Sequence, residues 1–451
     1  MSQSNANTAH SHPFNSRPNR TVVVLTLPVM LALIAEPITG VVDTAFIAQL
    51  GTDPLAALGV GTAALSTIFW IFNFLGISTQ TEVARALGQE DRQRGAQITG
   101  LALLMGVGFS VALIAVFFPG AGLMSTLLGA DGAVRDFAVE YLRVRMLGAP
   151  AVLIMFICFG ALRGLQDVRI TLWIAASINA LNILLNAVLI FGLGPVPALG
   201  ITGAALASAI SQWIGAAWAL LVVQRRLGLI PHMDRADASN LLRVGGDLFV
   251  RTGLLTLFIL VSTRVANQIS PEAGAAHQAI RTVWLFLSLM MEGFAMTAQS
   301  LVGYFLGAGL PPTARRAAAV SLQWGLGTGV LMLALMLMGG SLVVELLVPE
   351  EALGVFWTAW FIAALTQPLS ALAFVTDGIH WGTSDYGFLR NAMIAATCSG
   401  VLALMLIDTT ASVAFTQVWL ATWIWLAVRA GLGVVRVWPG IGRSPLRATA
   451  G

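Results

Sequence analysis

The sequence predicts an all-α integral membrane protein with twelve transmembrane helices in two pseudo-symmetric six-helix lobes around a central cavity. Three observations lead to this fold class. Apolar residues make up 57% of the chain and charged residues only 10%, whereas about a quarter of the residues are charged in a soluble globular protein. The apolar residues fall into twelve long segments, and an internal repeat relates the first six segments to the last six.

Each apolar segment is long enough to cross a bilayer, because a hydrocarbon core of about 30 Å needs roughly 20 helical residues. The segments lie near residues 21–50, 54–84, 95–118, 136–162, 169–193, 200–224, 244–268, 273–305, 314–346, 352–379, 388–407 and 411–435. Twelve segments place six helices in each copy of the repeat.

The repeat appears as a constant shift between matching residues. Gln80 and Gly88 recur as Gln299 and Gly307, which lie 219 positions later. Later in each copy the shift is 218, and the matched residues are Pro150 with Pro368, Gly160 with Gly378, Gly164 with Gly382 and Asp167 with Asp385. Two related halves in a hydrophobic chain are typical of alternating-access transporters.

Arginine placement predicts the orientation, because basic residues concentrate in cytoplasmic loops. Eighteen of the 24 basic residues fall on one side of the predicted topology, and Arg429 is counted among them. The opposite side is more acidic and holds Arg135, Arg143 and Arg145. We therefore expect both termini in the cytoplasm.

Polar stretches mark the expected boundaries of the lobes. Residues 1–20 are polar and lack an apolar run, so we expect a disordered cytoplasmic tail there. The break at 225–243 contains Pro231 and several charges, and we expect it to be a cytoplasmic linker. The remaining divisions are an N-terminal lobe at 21–224, a C-terminal lobe at 244–438 and a cytoplasmic tail at 439–451.

Composition also excludes several function classes. The net charge of +3 gives no reason to expect a nucleic-acid partner. Cys158 and Cys398 lie inside apolar segments, so we expect neither a disulfide framework nor a metal cluster, and no cofactor. A membrane enzyme would need clustered acidic ligands or a facing Ser/His pair, and the five histidines are scattered. We therefore do not expect an enzyme.

Span one carries two carboxylates, which are costly at membrane depth and usually face a pathway. Glu36 and Asp43 are seven residues apart, so they share one helix face about 10 Å apart along the axis. Pro28 and Pro37 each remove a backbone donor, so we expect the helix to bend near them. A carboxylate on a bending helix is a candidate proton switch; the alternative is a carboxylate held permanently by neighbouring amides.

Span five places three amides on one helix face. Asn179, Asn182 and Asn186 occupy positions i, i+3 and i+7. Each amide has one acceptor and two donors, enough to bind a carboxylate or, through its oxygen, a small cation. The alternative is that these amides only join transmembrane helices to one another.

Other polar residues are candidates for a substrate cavity. Glu292 and Gln299 share a face of span eight, and their counterparts in the first copy are Asn73 and Gln80. We expect these four residues, together with Asn179 and Met296, to line the cavity. Two alternatives are that Arg281 neutralises Glu292 and that the methionines of span eight face lipid or core.

Span ten carries Asp377 where the first copy has Phe159. We expect Asp377 either to line the cavity of the second lobe or to pair with Arg390 or His380. Asp43 in turn corresponds to Ser262 in the second copy. The scaffold is therefore duplicated, whereas the acidic chemistry differs between the copies.

The chain resembles the multidrug and toxic compound extrusion (MATE) family and, within it, the DinF-like branch. The similar stretches are GVVDTAFIAQLG, ARALGQED, NILLNAVLIFG, ITGAALAS and AAHQAIRTVWLFLSLMMEGFAMTAQSLVGYFLGAG. The resemblance implies a monomeric secondary antiporter of the bacterial inner membrane. Such a protein exchanges H⁺ or Na⁺ for amphipathic, often cationic, drugs or toxins by alternating access.

The resemblance also implies a cation site. Its members are Asp43, Asn182 and Asn186, with Thr202 as a fourth member and Glu36 as a second carboxylate of the same span. Many family members carry an acidic residue where this chain has Asn186. The loss of that carboxylate favours H⁺ as the coupling ion; if Na⁺ is coupled, Asp43 is the expected metal ligand.

One alternative function is a lipid or lipid-precursor flippase of the same superfamily. It would share the two lobes, but it would typically have a more basic cavity and additional spans, which this sequence does not show. A purely structural scaffold would not need a membrane-embedded aspartate opposite three asparagines. The sequence therefore favours a multidrug efflux antiporter.

Overall fold

The computed structural model describes residues 11–442 and 444–446, and this part of the chain is helical without a strand. A short helix at Pro13–Ser16 precedes the long helices. These are α1 (Pro18–Ala48), α2 (Thr52–Ile71), α3 (Phe74–Gly88), α4 (Arg92–Leu127), α5 (Gly132–Met146), α6 (Ala149–Gly164), α7 (Val168–Phe191), α8 (Gly200–Arg226), α9 (Arg235–Ile269), α10 (Pro271–Gly307), α11 (Pro311–Leu347), α12 (Leu353–Leu365), α13 (Gln367–Gly382), α14 (Tyr386–Met405) and α15 (Ala414–Val437).

Ten of the described helical spans are long and apolar enough to cross a membrane, and two bent pairs raise the number to twelve. The pair α5 and α6 is bent by 49°, and the pair α12 and α13 by 41°. Pro150 and Pro368, which match in the repeat, lie in the first turns of α6 and α13. A proline has no N–H and its ring clashes with the carbonyl group four residues earlier, which accounts for both bends. The predicted all-α membrane fold is confirmed.

The chain forms two compact units whose boundaries fall inside helices. The first unit is Leu31–Gly245, and the second combines the chain up to Met30 with Gly246–Gly451. The first half of α1 therefore belongs to the second unit, and the first turns of α9 belong to the first unit. The beginning of each half of the sequence therefore belongs to the unit formed by the other half. The hydropathy pattern does not reveal this arrangement. The predicted lobe boundaries remain predictions.

Matching glycines repeat the same helix packing inside each unit. A Cβ atom added to Gly164 would lie 2.7 Å from the backbone carbonyl oxygen of Gln80, and one added to Gly382 would lie 2.7 Å from that of Gln299. Only glycine lets α6 approach α3, and α13 approach α10, this closely. The repeat in the sequence is therefore also a repeat of the packing.

The expected tail at residues 1–20 is wrong where the structure describes it. Pro13–Ser16 is helical, α1 already begins at Pro18, and Phe14 is completely buried with its ring 5.5 Å from that of Phe305. The order comes from this tertiary contact, because the segment has no apolar run of its own. Residues 1–10 lie outside the described residues.

The second half of the expected linker is helical. Residues 235–243 are the helical start of α9, where Asp237 accepts two hydrogen bonds of 2.6 Å from Arg94 at the start of α4. This two-point ion pair orders a charged segment that composition alone assigns to a linker. In the tail, Arg443 and residues 447–451 lie outside the described part of the chain.

Candidate functional site

Asp43 on α1 binds the amide face of α7 inside the first unit. Asn186 Nδ2 donates a hydrogen bond of 2.5 Å to Asp43 Oδ1. Asn186 is completely buried and Asn182 is 5% exposed, whereas Asp43 is half-buried. Asn182 and Asn186 are four residues apart, so both amides lie on the face of α7 that is next to Asp43.

Asn182 connects this pair of residues to α8. Its amide lies 3.1 Å from the Ser208 hydroxyl and 3.0 Å from Asn186 Nδ2. With the amide oxygen turned towards Ser208, the Asn182 nitrogen lies 3.1 Å from Asp43 Oδ1. This orientation is favoured because the oxygen then accepts from the hydroxyl and the nitrogen donates to the carboxylate. Two amides then hold one carboxylate oxygen.

The network also contains an acceptor with no partner. Asn186 Oδ1 is buried and forms no hydrogen bond in the described residues. Within the described residues, neither Thr202 nor Glu36 forms a hydrogen bond to Asp43 or to the amides of Asn182 and Asn186. Ser208, six residues after Thr202 on α8, is the hydroxyl that joins the network.

Arg145 is the functional candidate that sequence reasoning missed. It lies in the last turn of α5, where its Nη1 donates a hydrogen bond of 2.8 Å to Gln212 Oε1 on α8. Its charge acts electrostatically on both Asp43 and Glu36. The charge rule uses Arg145 only to orient the spans, whereas a guanidinium that acts on membrane carboxylates serves as their counter-charge. The available signal was the position of Arg145 inside the apolar segment 136–162.

Arg143 differs from Arg145 although it is only two residues away. Its side chain is exposed, and its guanidinium carbon lies 5.8 Å from the centroid of the Phe118 ring. Residues two apart on a helix point in different directions. The two arginines are therefore a natural matched pair for mutagenesis.

Gln80 and Gln299, both predicted cavity residues, lie at the close helix contacts. Gln80 is 2% exposed and Gln299 is completely buried. Asn73 occupies the break between α2 and α3, at the N-cap position of α3. Asn179 is half-buried on α7, one turn before Asn182.

Asp377 in the second unit has different partners from those expected. Its Oδ2 accepts from Arg429 Nη2 on α15 at 2.5 Å and also from Arg251 Nη2 on α9. Arg390 pairs instead with Asp247 at 2.6 Å. Burial explains the difference: a carboxylate 2% exposed needs compensating charge, and both arginines are buried beside it.

Arg429, which the predicted topology counts among the cytoplasmic arginines, is a buried side chain of α15. It is 2% exposed and acts electrostatically on Glu292 as well as pairing with Asp377. The alternative that Arg281 neutralises Glu292 finds no support in the hydrogen bonds of the described residues, because Arg281 Nη2 donates to Gln278 Oε1 at 2.5 Å. Met296 is 7% exposed and belongs to the buried face of α10.

Comparison with known proteins identifies the family. The MatE family model matches residues 28–188 and 248–408, which together make up more than half of the chain and correspond to the two copies of the repeat. A solved MATE structure in the straight conformation superposes with a TM-score of 0.85 at 20% identity, over 93% of this chain and 95% of that one. This similarity shows the fold.

Two curated relatives cover nearly the whole chain. The probable multidrug resistance protein NorM of Deinococcus radiodurans is 30% identical, over 96% of this chain and 96% of its own. The DNA damage-inducible protein F of Escherichia coli is 27% identical, over 92% of this chain and 90% of its own. The predicted resemblance is confirmed: the chain belongs to the MATE family of multi-pass multidrug and toxin efflux transporters, which bind small molecules.

Proposed function

We propose that this protein is a secondary efflux antiporter that exports amphipathic, often cationic, organic compounds in exchange for H⁺ by alternating access. It acts as a monomer in a bacterial inner membrane with both termini in the cytoplasm. Asp43 carries the proton. The same coupling region also contains Asn182, Asn186, Thr202 and Glu36. The substrate contacts are Asn73, Asn179, Glu292 and Met296.

The hydrogen bond from Asn186 to Asp43 carries this proposal. Two neutral amides donate to the Asp43 carboxylate, which forms no ion pair that would fix its charge within the described residues. Such a group can change between a neutral and a charged form during a transport cycle, which is the property that proton coupling requires.

Two features support H⁺ over Na⁺ as the coupling ion. A Na⁺ site needs several oxygens directed at the ion, but the amide groups closest to Asp43 direct nitrogens at it. Arg145 also places a fixed positive charge in the electrostatic surroundings of Asp43. A bound cation would repel this charge, whereas a proton neutralises the carboxylate without adding an ion.

The proposed cycle follows from what protonation does to the hydrogen bonds. An ionised Asp43 only accepts, and both amide nitrogens donate to it. A protonated Asp43 gains a donor, and the buried Asn186 Oδ1 is an acceptor that has no partner in the part of the chain that the structure describes. Protonation therefore favours a different arrangement of α1 and α7, with α1 bending near Pro28 or Pro37. The proton shifts the balance between two conformations, and the substrate shifts it back.

Cells that lack their own efflux pumps provide the test. Expression of the protein should lower the accumulation of ethidium, a cationic amphipathic dye, and a proton uncoupler should abolish this effect. Replacing Na⁺ by K⁺ in the medium should change nothing. Efflux that persists with the uncoupler and depends on Na⁺ would contradict proton coupling.

A further inference from the structure

The second unit contains a buried group of charges that the proposed proton pathway does not use. Arg251, Asp377 and Arg429 come from α9, α13 and α15 and are 7%, 2% and 2% exposed. Both guanidinium groups donate to the same atom, Asp377 Oδ2. Three helices therefore place two cations around a single carboxylate oxygen.

This arrangement leaves positive hydrogen-bond donors without acceptors. Arg429 Nε and Nη1 and Arg251 Nε are buried and have no hydrogen-bond partner within the described residues. A buried donor on a charged group that lacks a hydrogen-bond partner destabilises the folded protein, so it calls for an acceptor. The missing chemistry is that of an acceptor with negative charge.

Aromatic rings cover the faces of both guanidinium groups. The guanidinium carbon of Arg429 lies 4.8 Å from the Phe374 ring centroid and 5.5 Å from that of Trp425, and Arg251 lies 5.5 Å from Trp381. Cation–π contacts stabilise the charge through the face of the group. The N–H groups point outward in the guanidinium plane, so the rings do not satisfy them.

Two other titratable side chains act on this cluster. Glu292 on α10 acts electrostatically on Arg429, and His380 on α13 acts on Asp377. The Glu292 carboxylate stabilises the positive charge of Arg429 from a distance, so it competes with any anion that approaches the same guanidinium.

We propose that Arg429, positioned by Asp377 and Arg251, binds the anionic group of an aromatic amphipathic compound, such as a carboxylate or sulfonate. The anionic group accepts from the Arg429 N–H groups that have no partner within the described residues, and the aromatic part packs beside the half-buried Phe374. Resting on the proposed efflux function, this site extends the exported compounds from cations to zwitterions and organic anions.

A pair of probes with the same shape and opposite charge tests the site. The full-length protein in a neutral detergent is titrated with 2-naphthoate and with 2-naphthylmethylammonium, and binding is measured by calorimetry. Naphthoate should bind to the wild-type protein. Arg429→Met should weaken that binding by about tenfold or more, because a charge-assisted hydrogen bond contributes about 1.5–3 kcal/mol. The ammonium probe should not lose affinity.

Three further variants make the result specific. Arg264→Met removes an exposed arginine of α9 and should leave naphthoate binding unchanged. Glu292→Gln removes the competing negative charge and should strengthen it. Arg429→Met still leaves Asp377 paired with Arg251, so the charges remain balanced; if it nevertheless misfolds, Arg429→Lys keeps the charge but lacks the planar donors and should still weaken binding.

The outcomes separate this inference from the proposed function, because binding is measured without a proton gradient. No naphthoate binding to the wild type, or equal affinity in the folded Arg429 variant, overturns the anion site even if ethidium efflux is intact. Failure of ethidium efflux with normal naphthoate binding contradicts the proposed function and leaves the site in place.

Discussion

Asn186 donates a 2.5 Å hydrogen bond to Asp43 at the position where many members of the family carry a second carboxylate. The first unit therefore pairs its aspartate with a neutral amide. This substitution reduces the number of titrating groups in direct contact to one. Under the proposed function, coupling depends on a single protonation step at Asp43.

Asn186→Asp should restore two adjacent carboxylates and create an attractive site for a cation. We expect about 100 mM Na⁺ to raise the melting temperature of this variant by about 2–5 °C while leaving the wild type unchanged. Differential scanning fluorimetry in detergent measures the effect. Asn179→Asp is the control on the same helix, and an equal Na⁺ effect in it would argue against a specific site.

Arg145→Gln should weaken proton release from Asp43, because the ionised carboxylate loses a nearby positive charge. The dependence of ethidium efflux on internal pH should therefore move to more alkaline values. The matched Arg143→Gln change removes an exposed charge from the same helix and should leave the profile in place. Identical profiles for both variants would contradict the assigned role of Arg145.

Gly164→Ala and Gly382→Ala should each destabilise the protein, because the new methyl group would lie 2.7 Å from a backbone carbonyl oxygen. We expect a cost of about 1–3 kcal/mol, measured as a lower melting temperature. Gly108 and Gly327 face open space, so Gly108→Ala and Gly327→Ala are suitable controls. If the melting temperatures equal those of the controls, the two helices of each pair can move apart at little cost and the close contacts do not stabilise the fold.

The membrane fold and part of the site were predictable from local patterns. Apolar segment length predicts the spans, and the repeated Pro150 and Pro368 lie at the two helix bends. Helical spacing alone puts Asn182 and Asn186 on one face of α7. These features depend on residues that are close together in the sequence.

The remaining features depend on contacts between distant helices. Ser208 and Gln212 join the network only because α8 packs beside α7 and α5. The charge rule counts arginines without regard to burial, so it does not predict that Arg429 pairs with Asp377. Phe14 orders the N-terminal segment through a contact with Phe305, which no local pattern indicates.

Proton release from the purified protein tests the role of Asp43 most directly. Tetraphenylphosphonium is added to the protein in weakly buffered detergent, with and without Na⁺, and the pH change is recorded. The wild type and the control Asp53→Asn, which alters an exposed residue of α2, should release protons regardless of Na⁺, and folded Asp43→Asn should release none. Equal release from Asp43→Asn, or release that requires Na⁺, would contradict proton coupling through Asp43.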